Sequence, residues 1–296
     1  MRNWVYIVLF FGGIFTSCVK EVFVDDSVEK PNAYFINAFL CTDSQARIQL
    51  GKVSGITEAY NYVSDASVSI VARGLRYPLT HLAEGWYVSS LFNSKGNDSV
   101  RVEVLHGTKG FTRELQSPSN IEIQQVQIFP VVVSFLGRTT GFRVLFQDSA
   151  YNDNFYRLWV EERFWLYEKN GDGDIVDSIF KLRKLPVSGN DIAFLRNPYN
   201  VYSSRELLFS DVTFNGLRAG LEFYKALGNS SHERTDSYRV ILENLHRDLY
   251  HYYNDRNAHL WQQNSITQLP TKVEGNIDGV YGIFGLYQVD EYVVQF

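Results

Sequence analysis

The feature that most constrains the fold of this chain is a series of short segments in which apolar and polar residues alternate. In Ala66–Ile70 the alternation places Val68 and Ile70 on one face of an extended strand, and Val100–Val104 follows the same pattern. Gly107 closes the second of these segments. Short strands at this spacing predict an antiparallel β-sandwich. The 19 Tyr and 21 Phe residues agree, because aromatic side chains favour half-buried pleated surfaces.

The strand pattern is interrupted at residues 117–120, where Pro and Ser residues end it. We therefore predict a first domain over residues 32–116 and a second, β-rich domain over residues 121–296. The first is predicted to be an immunoglobulin-like or transthyretin-like antiparallel β-sandwich, because the order of its strands and glycines resembles the small sandwiches of the transthyretin and carboxypeptidase-regulatory type. In the second, Pro130 indicates an edge strand or a bulge, since proline cannot donate to a strand ladder.

Two further elements are predicted in the second domain. One long strand or a pair of strands over residues 155–167 leads into Asn170-Gly171-Asp172-Gly173, which is typical of a hairpin turn. One α-helix is predicted near residues 245–263, because apolar and aromatic residues recur there at intervals of three or four, and Asn244 is its predicted N-cap. The predicted fold class is therefore mainly β, with one helix in the C-terminal region.

The N-terminus has the parts of an export signal over residues 1–17. Arg2 precedes an apolar run that starts at Trp4, and the run of about eleven residues is too short to span a bilayer as a helix. The stretch Ile14–Cys18 resembles the lipobox of bacterial lipoproteins. That resemblance implies that Cys18 becomes the first mature residue and carries acyl chains such as palmitate. The alternative is an ordinary secretory signal with a chance cysteine.

Residues 18–31 form a predicted polar linker that ends at Pro31. Val19 differs from the Asp that signals inner-membrane retention in enterobacteria, and the charged residues after it resemble surface-export signals of Bacteroidota lipoproteins. We therefore expect a lipid anchor in the outer membrane, on either its periplasmic or its cell-surface face.

Charge and cysteine content limit the partners of the mature protein. The full chain has a formal net charge of −5, and removal of residues 1–17, which contain one Arg, makes it more negative. A chain of this charge has no basic surplus for phosphate backbones, so we expect no nucleic-acid partner. Cys41 is the second of two cysteines, so lipidation of Cys18 leaves it without an internal disulfide partner, and we predict that it is a small buried side chain.

The C-terminal stretch Asn276–Gly285 reads Asn-Ile-Asp-Gly-Val-Tyr-Gly-Ile-Phe-Gly. It resembles the closing segment of a Bacteroidota lipoprotein family called domain of unknown function 4249. Residues 154–157, 209–211 and 214–216 are similar to further landmarks of that family. The resemblance implies an outer-membrane accessory protein, associated with a receptor or transporter of the TonB-dependent class, and it implies no catalytic residues.

Several residue patterns are candidates for chemistry. His246, His251 and His259 are spaced too irregularly for a helical zinc pair. Asp172 and Asp174 resemble the opening of a calcium loop, but the twelfth position of that loop is Ile179, so we favour a hairpin turn and leave calcium binding open.

Two other groups of residues are candidates for binding or catalysis. Carboxylates that would serve a glycosidase pair are Asp148, Asp153, Glu161 and Glu162. Tryptophans that would form a sugar-stacking platform are Trp86, Trp159, Trp165 and Trp261, although core packing is the prediction for most of them. The glycines Gly279, Gly282 and Gly285 indicate tight turns beside a packed strand rather than a nucleotide loop.

The sequence contains no Gly-x-Ser-x-Gly elbow, no phosphate loop with Gly-Lys-Ser/Thr and no His-Glu-x-x-His helix. We therefore predict no cofactor, no metal and no catalytic residue. The predicted function is a non-enzymatic accessory binding or interaction protein anchored in the outer membrane. A carbohydrate-binding surface lipoprotein is the first alternative, and a carboxylate-dependent hydrolase is the second.

The lipid anchor has a direct test with a matched control. Replacing Cys18→Ala removes the acylated sulfur, so we expect the protein to move from the membrane to the soluble fraction, whereas Cys41→Ala leaves it in the membrane. Fractionation and intact-mass analysis measure both. A Cys18→Ala protein that stays in the membrane fraction contradicts the prediction.

Overall fold

The structure is a computed structural model that describes residues 33–42, 44–53, 61–92, 94–134, 136–150, 153–200, 204–226, 233–263, 273 and 275–296. The predicted signal, Cys18 and the predicted linker 18–31 lie outside the described residues. The described chain is mainly β, as predicted. Its helices are too short or too polar to cross a membrane.

The described strands are β1 (Tyr34–Cys41), β2 (Gln45–Lys52), β3 (Asn61–Tyr62), β4 (Ser67–Ala72), β5 (Leu75–Ala83), β6 (Trp86–Leu91), β7 (Ser99–His106), β8 (Lys109–Gln116), β9 (Ile123–Val133), β10 (Gly137–Gln147), β11 (Phe155–Lys169), β12 (Ile175–Lys184), β13 (Val187–Gly189), β14 (Leu207–Ser210), β15 (Arg218–Lys225), β16 (Glu233–Leu245) and β17 (Tyr281–Gln295). The helices are α1 (Ile192–Leu195) and α2 (Arg247–Gln263), with 3₁₀ turns at Pro198–Asn200 and Asp211–Thr213.

A large sheet runs in the order β12-β11-β16-β17-β1-β2-β6-β5-β4-β7-β8. Strand β5 pairs with β6 on one side and β4 on the other, and it links two layers that enclose the first core. Strand β1 shows the required alternation, because Ile36 and Ala38 are buried while their neighbours are only half-buried. Ile70 and Val102 close the same core from the opposite layer.

A second, four-stranded sheet has the order β13-β15-β10-β9. It packs against β11 and β16 around a second core that includes Phe142, Phe223, Leu158 and Val240. Strand β9, which contains Pro130, lies at the edge of this sheet, so the edge position predicted from the proline is confirmed.

Strand β17 joins the two cores. It pairs with β1 in parallel and with β16 antiparallel. Phe284 and Leu286 belong to the first core, whereas Tyr292 and Val294 pack against the second. The C-terminal strand thus completes the N-terminal sandwich, a pairing that the sequence did not predict. The division into domains at residues 117–120 stays a prediction.

Helix α2 begins at Arg247 and covers the outer face of the large sheet through Leu249 and Tyr253. Asn244 is therefore not its N-cap, and that prediction was wrong. Strand β16 continues through Asn244 because both of its neighbours pair with it up to residue 245. The cap is His246 instead, whose Nδ1 accepts the N–H of Asp248 at 3.1 Å.

Cys41 ends β1 on the face that does not point into the first core. It is half-buried rather than buried, because the side chains of β1 alternate and its neighbours Leu40 and Thr42 take the buried positions. Its Sγ donates to the Thr42 carbonyl at 3.4 Å.

Gly285 sets how closely α2 approaches the sheet. A Cβ at this position would lie 2.7 Å from Leu249 Cδ1 and 3.0 Å from Leu249 Cβ. We expect Gly285→Ala to lower the free energy of unfolding by about 1–3 kcal/mol through overpacking. Gly110→Ala is the control, because its nearest neighbour would be 4.0 Å away. Urea unfolding compares the two, and equal effects would contradict this role of Gly285.

Candidate functional site

The strongest candidate site is the hairpin formed by β11 and β12. The two strands pair antiparallel from Glu161 and Lys184 to the turn at residues 170–174. In the turn, Asn170 Oδ1 accepts the backbone N–H groups of Asp172 at 3.0 Å and Asp174 at 2.9 Å. The predicted hairpin is therefore confirmed, and its turn is closed by an asparagine side chain.

Strand β12 is the last strand of the large sheet, so one of its edges has no partner strand in the described chain. Leu185 donates its N–H to Val160 O at 2.8 Å, and this bond shows which alternate residues of β12 form backbone hydrogen bonds with β11. Since the backbone N–H and C=O groups of successive residues in an antiparallel strand point to opposite edges, those of Ile179, Lys181 and Arg183 point towards β11. The backbone groups of Ser178, Phe180 and Leu182 then point outward, and the Ser178 N–H indeed bonds Asp177 Oδ1 at 2.7 Å.

The side chains of β12 are unusually apolar for such an exposed strand. Val176 is 60% exposed and Leu182 58% exposed, and Ile175, Ile179 and Phe180 are exposed as well. Exposed Trp165 of β11 lies beside Phe180, with ring centroids 5.0 Å apart. A long apolar edge strand of this kind is a surface that pairs with another chain.

A buried ion network fixes the base of the hairpin. Glu162 and Lys225 are each only 1% exposed, and Lys225 Nζ lies 3.1 Å from Glu162 Oε1. Arg183 donates from Nε to Glu162 at 2.8 Å and binds Glu233 through two hydrogen bonds of 3.0 and 2.7 Å. Thr235 adds a hydroxyl hydrogen bond of 2.7 Å to Glu162.

The pKa values in this network follow from burial and charge. Burial alone would raise the pKa of Glu162, but the Thr235 hydroxyl and the charges of Lys225 and Arg183 outweigh it, so the pKa lies below its ordinary value of 4.5. Burial lowers the pKa of Lys225 even though Glu162 opposes this shift. The hairpin therefore has a rigid, charged base beneath its exposed apolar edge.

The candidate calcium ligands lie at the tip of this hairpin. Asp172 and Asp174 are exposed, and the Asn170 oxygen between them is already occupied by backbone N–H groups. Within the described residues, no group of three or more His, Cys, Asp or Glu side chains is placed to hold a metal ion.

The four candidate carboxylates do not converge. Glu161 and Glu162 are adjacent on β11 and face opposite sides of the sheet, and Asp153 is exposed. Asp148 is buried and accepts hydrogen bonds from the Tyr156 hydroxyl and from the Gly216 N–H. A second buried carboxylate, Asp211, is close enough for the charge of Asp148 to raise its pKa, and the sequence did not single it out for chemistry.

Asp211 is buried and accepts the Asn154 N–H at 2.8 Å. Burial raises its pKa, and the charge of Asp148 raises it further. Because both carboxylates are enclosed and hydrogen-bonded to turns, their arrangement is structural.

The histidines and tryptophans are also dispersed. His246 caps α2, whereas His251 is exposed and His259 half-buried on the same helix. The prediction that most tryptophans pack in the core was wrong, because the described set is half-buried or exposed: Trp86, Trp159, Trp165 and Trp261. The buried aromatic side chains of the two cores are Tyr and Phe instead.

The prediction of tight turns holds for Gly279 only, because Gly282 and Gly285 lie within β17. Gly279 lies in a turn with φ of 76°, and Gly282, with φ of 93°, sits against β1, where a Cβ would lie 2.2 Å from Ile36 O. Asn276 extends this arrangement, because its side chain exchanges two hydrogen bonds of 2.8 Å with the backbone of Phe284.

A family model described as "Domain of unknown function (DUF4249)" matches residues 20–292. The chain belongs to this family. The closing stretch Asn276–Gly285 leads into β17. Residues from the other three stretches that resemble the family lie together, because Tyr156 and Gly216 bond Asp148 and Asn154 bonds Asp211. They hold the turns at one end of the second core, which explains these landmarks without a catalytic role.

No curated protein matches the sequence. A solved structure described as "Crystal structure of bovine butyrophilin" is similar over 71% of this chain and 91% of that chain, with 8% identity and a TM-score of 0.21. A similarity this low supports no statement about function.

The sequence predicted the hairpin but neither its exposed apolar edge nor the buried ion network at its base. The run Ile175–Lys184 contains β-branched and aromatic residues without Pro or Gly, which is a signal for a strand but not for an exposed one. Lys225 sits at the end of an aromatic segment and shows no pattern that pairs it with Glu162, because the two are brought together only by the packing of two sheets.

The buried ion pair predicts a large asymmetry between neighbouring glutamates. Glu162→Gln leaves Lys225 buried without its counter-charge, so we expect a loss of about 3–5 kcal/mol in the free energy of unfolding. Glu161→Gln, half-buried on the opposite face and paired with Arg239 at 3.2 Å, should change it by at most about 1 kcal/mol. Adding Lys225→Met to Glu162→Gln should recover much of the loss. Urea unfolding at neutral pH measures all three.

The same pair sets a pH dependence. Because the folded-state pKa of Glu162 is below 4.5, its contribution is complete above that pH and is lost as the pH falls through the folded-state value. The stability difference between the wild type and Glu162→Gln should therefore shrink in acid. A difference that is independent of pH would contradict the assignment.

Proposed function

We propose that this protein is a lipid-anchored interaction protein of the outer membrane, held at Cys18, whose folded body binds a partner protein through β12. The body is non-enzymatic in this proposal. The observation that carries it is the exposed edge of β12, with outward backbone groups at Ser178, Phe180 and Leu182 and apolar side chains along the strand.

The partner fitted to this edge is an extended strand of another envelope protein. Strand addition uses main-chain hydrogen bonds for affinity and alternate side chains for specificity. Charges along the edge favour one orientation of the added strand, because Asp174 and Asp177 lie near the turn and Lys181 lies towards the base. A strand with basic residues near the tip and acidic residues near the base matches this order.

A receptor or transporter of the outer membrane is the proposed source of that strand. The lipid anchor would confine both proteins to one membrane surface, which raises their effective concentration. The buried network at Glu162 and Lys225 supports this use, because a fixed hairpin loses little freedom when a partner binds.

A carbohydrate-binding role is the second candidate. Trp165 and Phe180 expose neighbouring rings on one face of the hairpin, and aromatic faces stack on sugar rings. Glycan-array binding that Trp165→Ala abolishes would favour this candidate over a protein partner.

A single proline substitution on the outer edge of β12 tests the strand-addition model. Leu182→Pro removes an outward N–H and no bond to β11, so the hairpin should fold while partner binding falls at least about tenfold. Leu182→Thr keeps the N–H and favours strands, so it is the matched control. Detergent-solubilised envelopes are probed with the lipidated wild type and both variants, and retained proteins are quantified by mass spectrometry.

The outcome depends on the difference between the two variants. A protein retained by the wild type and Leu182→Thr but lost with Leu182→Pro supports strand addition. Equal retention by the wild type and both variants contradicts it. Circular dichroism and the urea midpoint confirm that Leu182→Pro is folded.

A further inference from the structure

A groove of about 470 Å³ lies where the C-terminal half of α2 meets the end of β12 and the residues before β14. Three basic side chains line it, from Lys184, Arg205 and Arg256. Among its lining residues Glu206 is the one carboxylate. The lining therefore carries two more positive than negative charges, in a protein with a net charge of −5.

Two of these basic groups, from Lys184 and Arg256, meet at Glu206. Lys184 Nζ lies 3.0 Å from Glu206 Oε2, and an Arg256 nitrogen lies 2.7 Å from Glu206 Oε1. Arg157 lies beneath the groove, 3.8 Å from Glu206, but Glu243 neutralises it at 2.6 Å. One carboxylate is thus shared between cations that exceed its charge.

Aromatic rings hold two of these cations in place. Lys184 Nζ lies 4.6 Å from the Trp159 ring centroid, and the Arg256 guanidinium lies 4.9 Å from that of Tyr253. Because their positions are fixed before any ligand arrives, binding would cost little side-chain entropy.

Arg205 supplies the uncompensated charge. It is exposed at the groove, and in the part of the chain that the structure describes no carboxylate pairs with it. Its planar guanidinium is suited to two parallel hydrogen bonds with an oxyanion.

We propose that this groove binds a phosphate monoester, with Lys184, Arg205 and Arg256 as its ligands. A compact group with two negative charges matches an excess of two positive charges along one groove, whereas a dicarboxylate separates its charges. The groove volume leaves room for the group that carries the phosphate. The phosphate belongs either to a lipid headgroup or to a soluble ester, and both present the same chemistry to the protein.

Titration calorimetry with inorganic phosphate, on the full mature protein in detergent, tests the proposal. At slightly alkaline pH, where the dianion dominates, Arg205→Gln should weaken binding about tenfold, because it removes one charged hydrogen-bonding group. Arg218→Gln is the control, since Arg218 is exposed on β15 away from the groove lining, and it should leave the affinity unchanged. Succinate should bind more weakly than phosphate.

A variant that is expected to bind phosphate more tightly separates a change in the site from a loss of folding. Glu206→Gln removes the competing carboxylate, so phosphate should bind more tightly than to the wild type, with folding confirmed by circular dichroism. No heat of phosphate binding, an unchanged affinity in Arg205→Gln or equal binding of succinate would overturn the proposal.

Vesicles then distinguish the two sources of phosphate. Stronger retention on phosphatidic acid than on phosphatidylcholine, lost in Arg205→Gln, identifies a lipid headgroup. Phosphate binding without this preference identifies a soluble ester.

Discussion

The fold depends on β17, the strand that both halves of the chain share. It lies between β1 and β16, so the first core, whose other strands all end by Gln116, is closed by Phe284 and Leu286 from the far end of the chain. The approach of β1 to β17 is close enough to require glycine at position 282. A contact of this sequence separation forms only after a large loop closes, so the two sandwiches depend on each other through a single strand.

Polar groups then fix what apolar packing alone leaves free. The Glu162–Lys225 pair sets the base of the β11–β12 hairpin, and the Asp148 cluster sets the turns at the other end of the second core. Buried ionic groups contribute little net stability when compared with apolar replacements, but they are costly to leave unpaired. They therefore select one arrangement of the strands, which is consistent with the family landmarks falling among them.

The two surfaces with proposed roles both include residues of β12. Its outer edge and apolar side chains would meet a protein strand, and Lys184 at its last position would contribute to an anion site beside Arg205. The strand is thus exposed along its length and anchored at its base by Arg183. This arrangement allows both sites to act without a change in the cores.

Local pattern by itself determined the β-rich class, the edge position of Pro130 and the turn at residues 170–174, because each depends on periodicity or on the backbone preferences of Pro, Gly and Asn. It also predicted the helix near residues 245–263, which the structure begins at Arg247. Pattern also identified the family. Only the tertiary structure decided that Asn244 belongs to a strand, since pairing on both sides overrides its capping preference. The exposure of β12 and the convergence on Glu162 and Glu206 likewise depend on which sheets face each other, and no local signal encodes that.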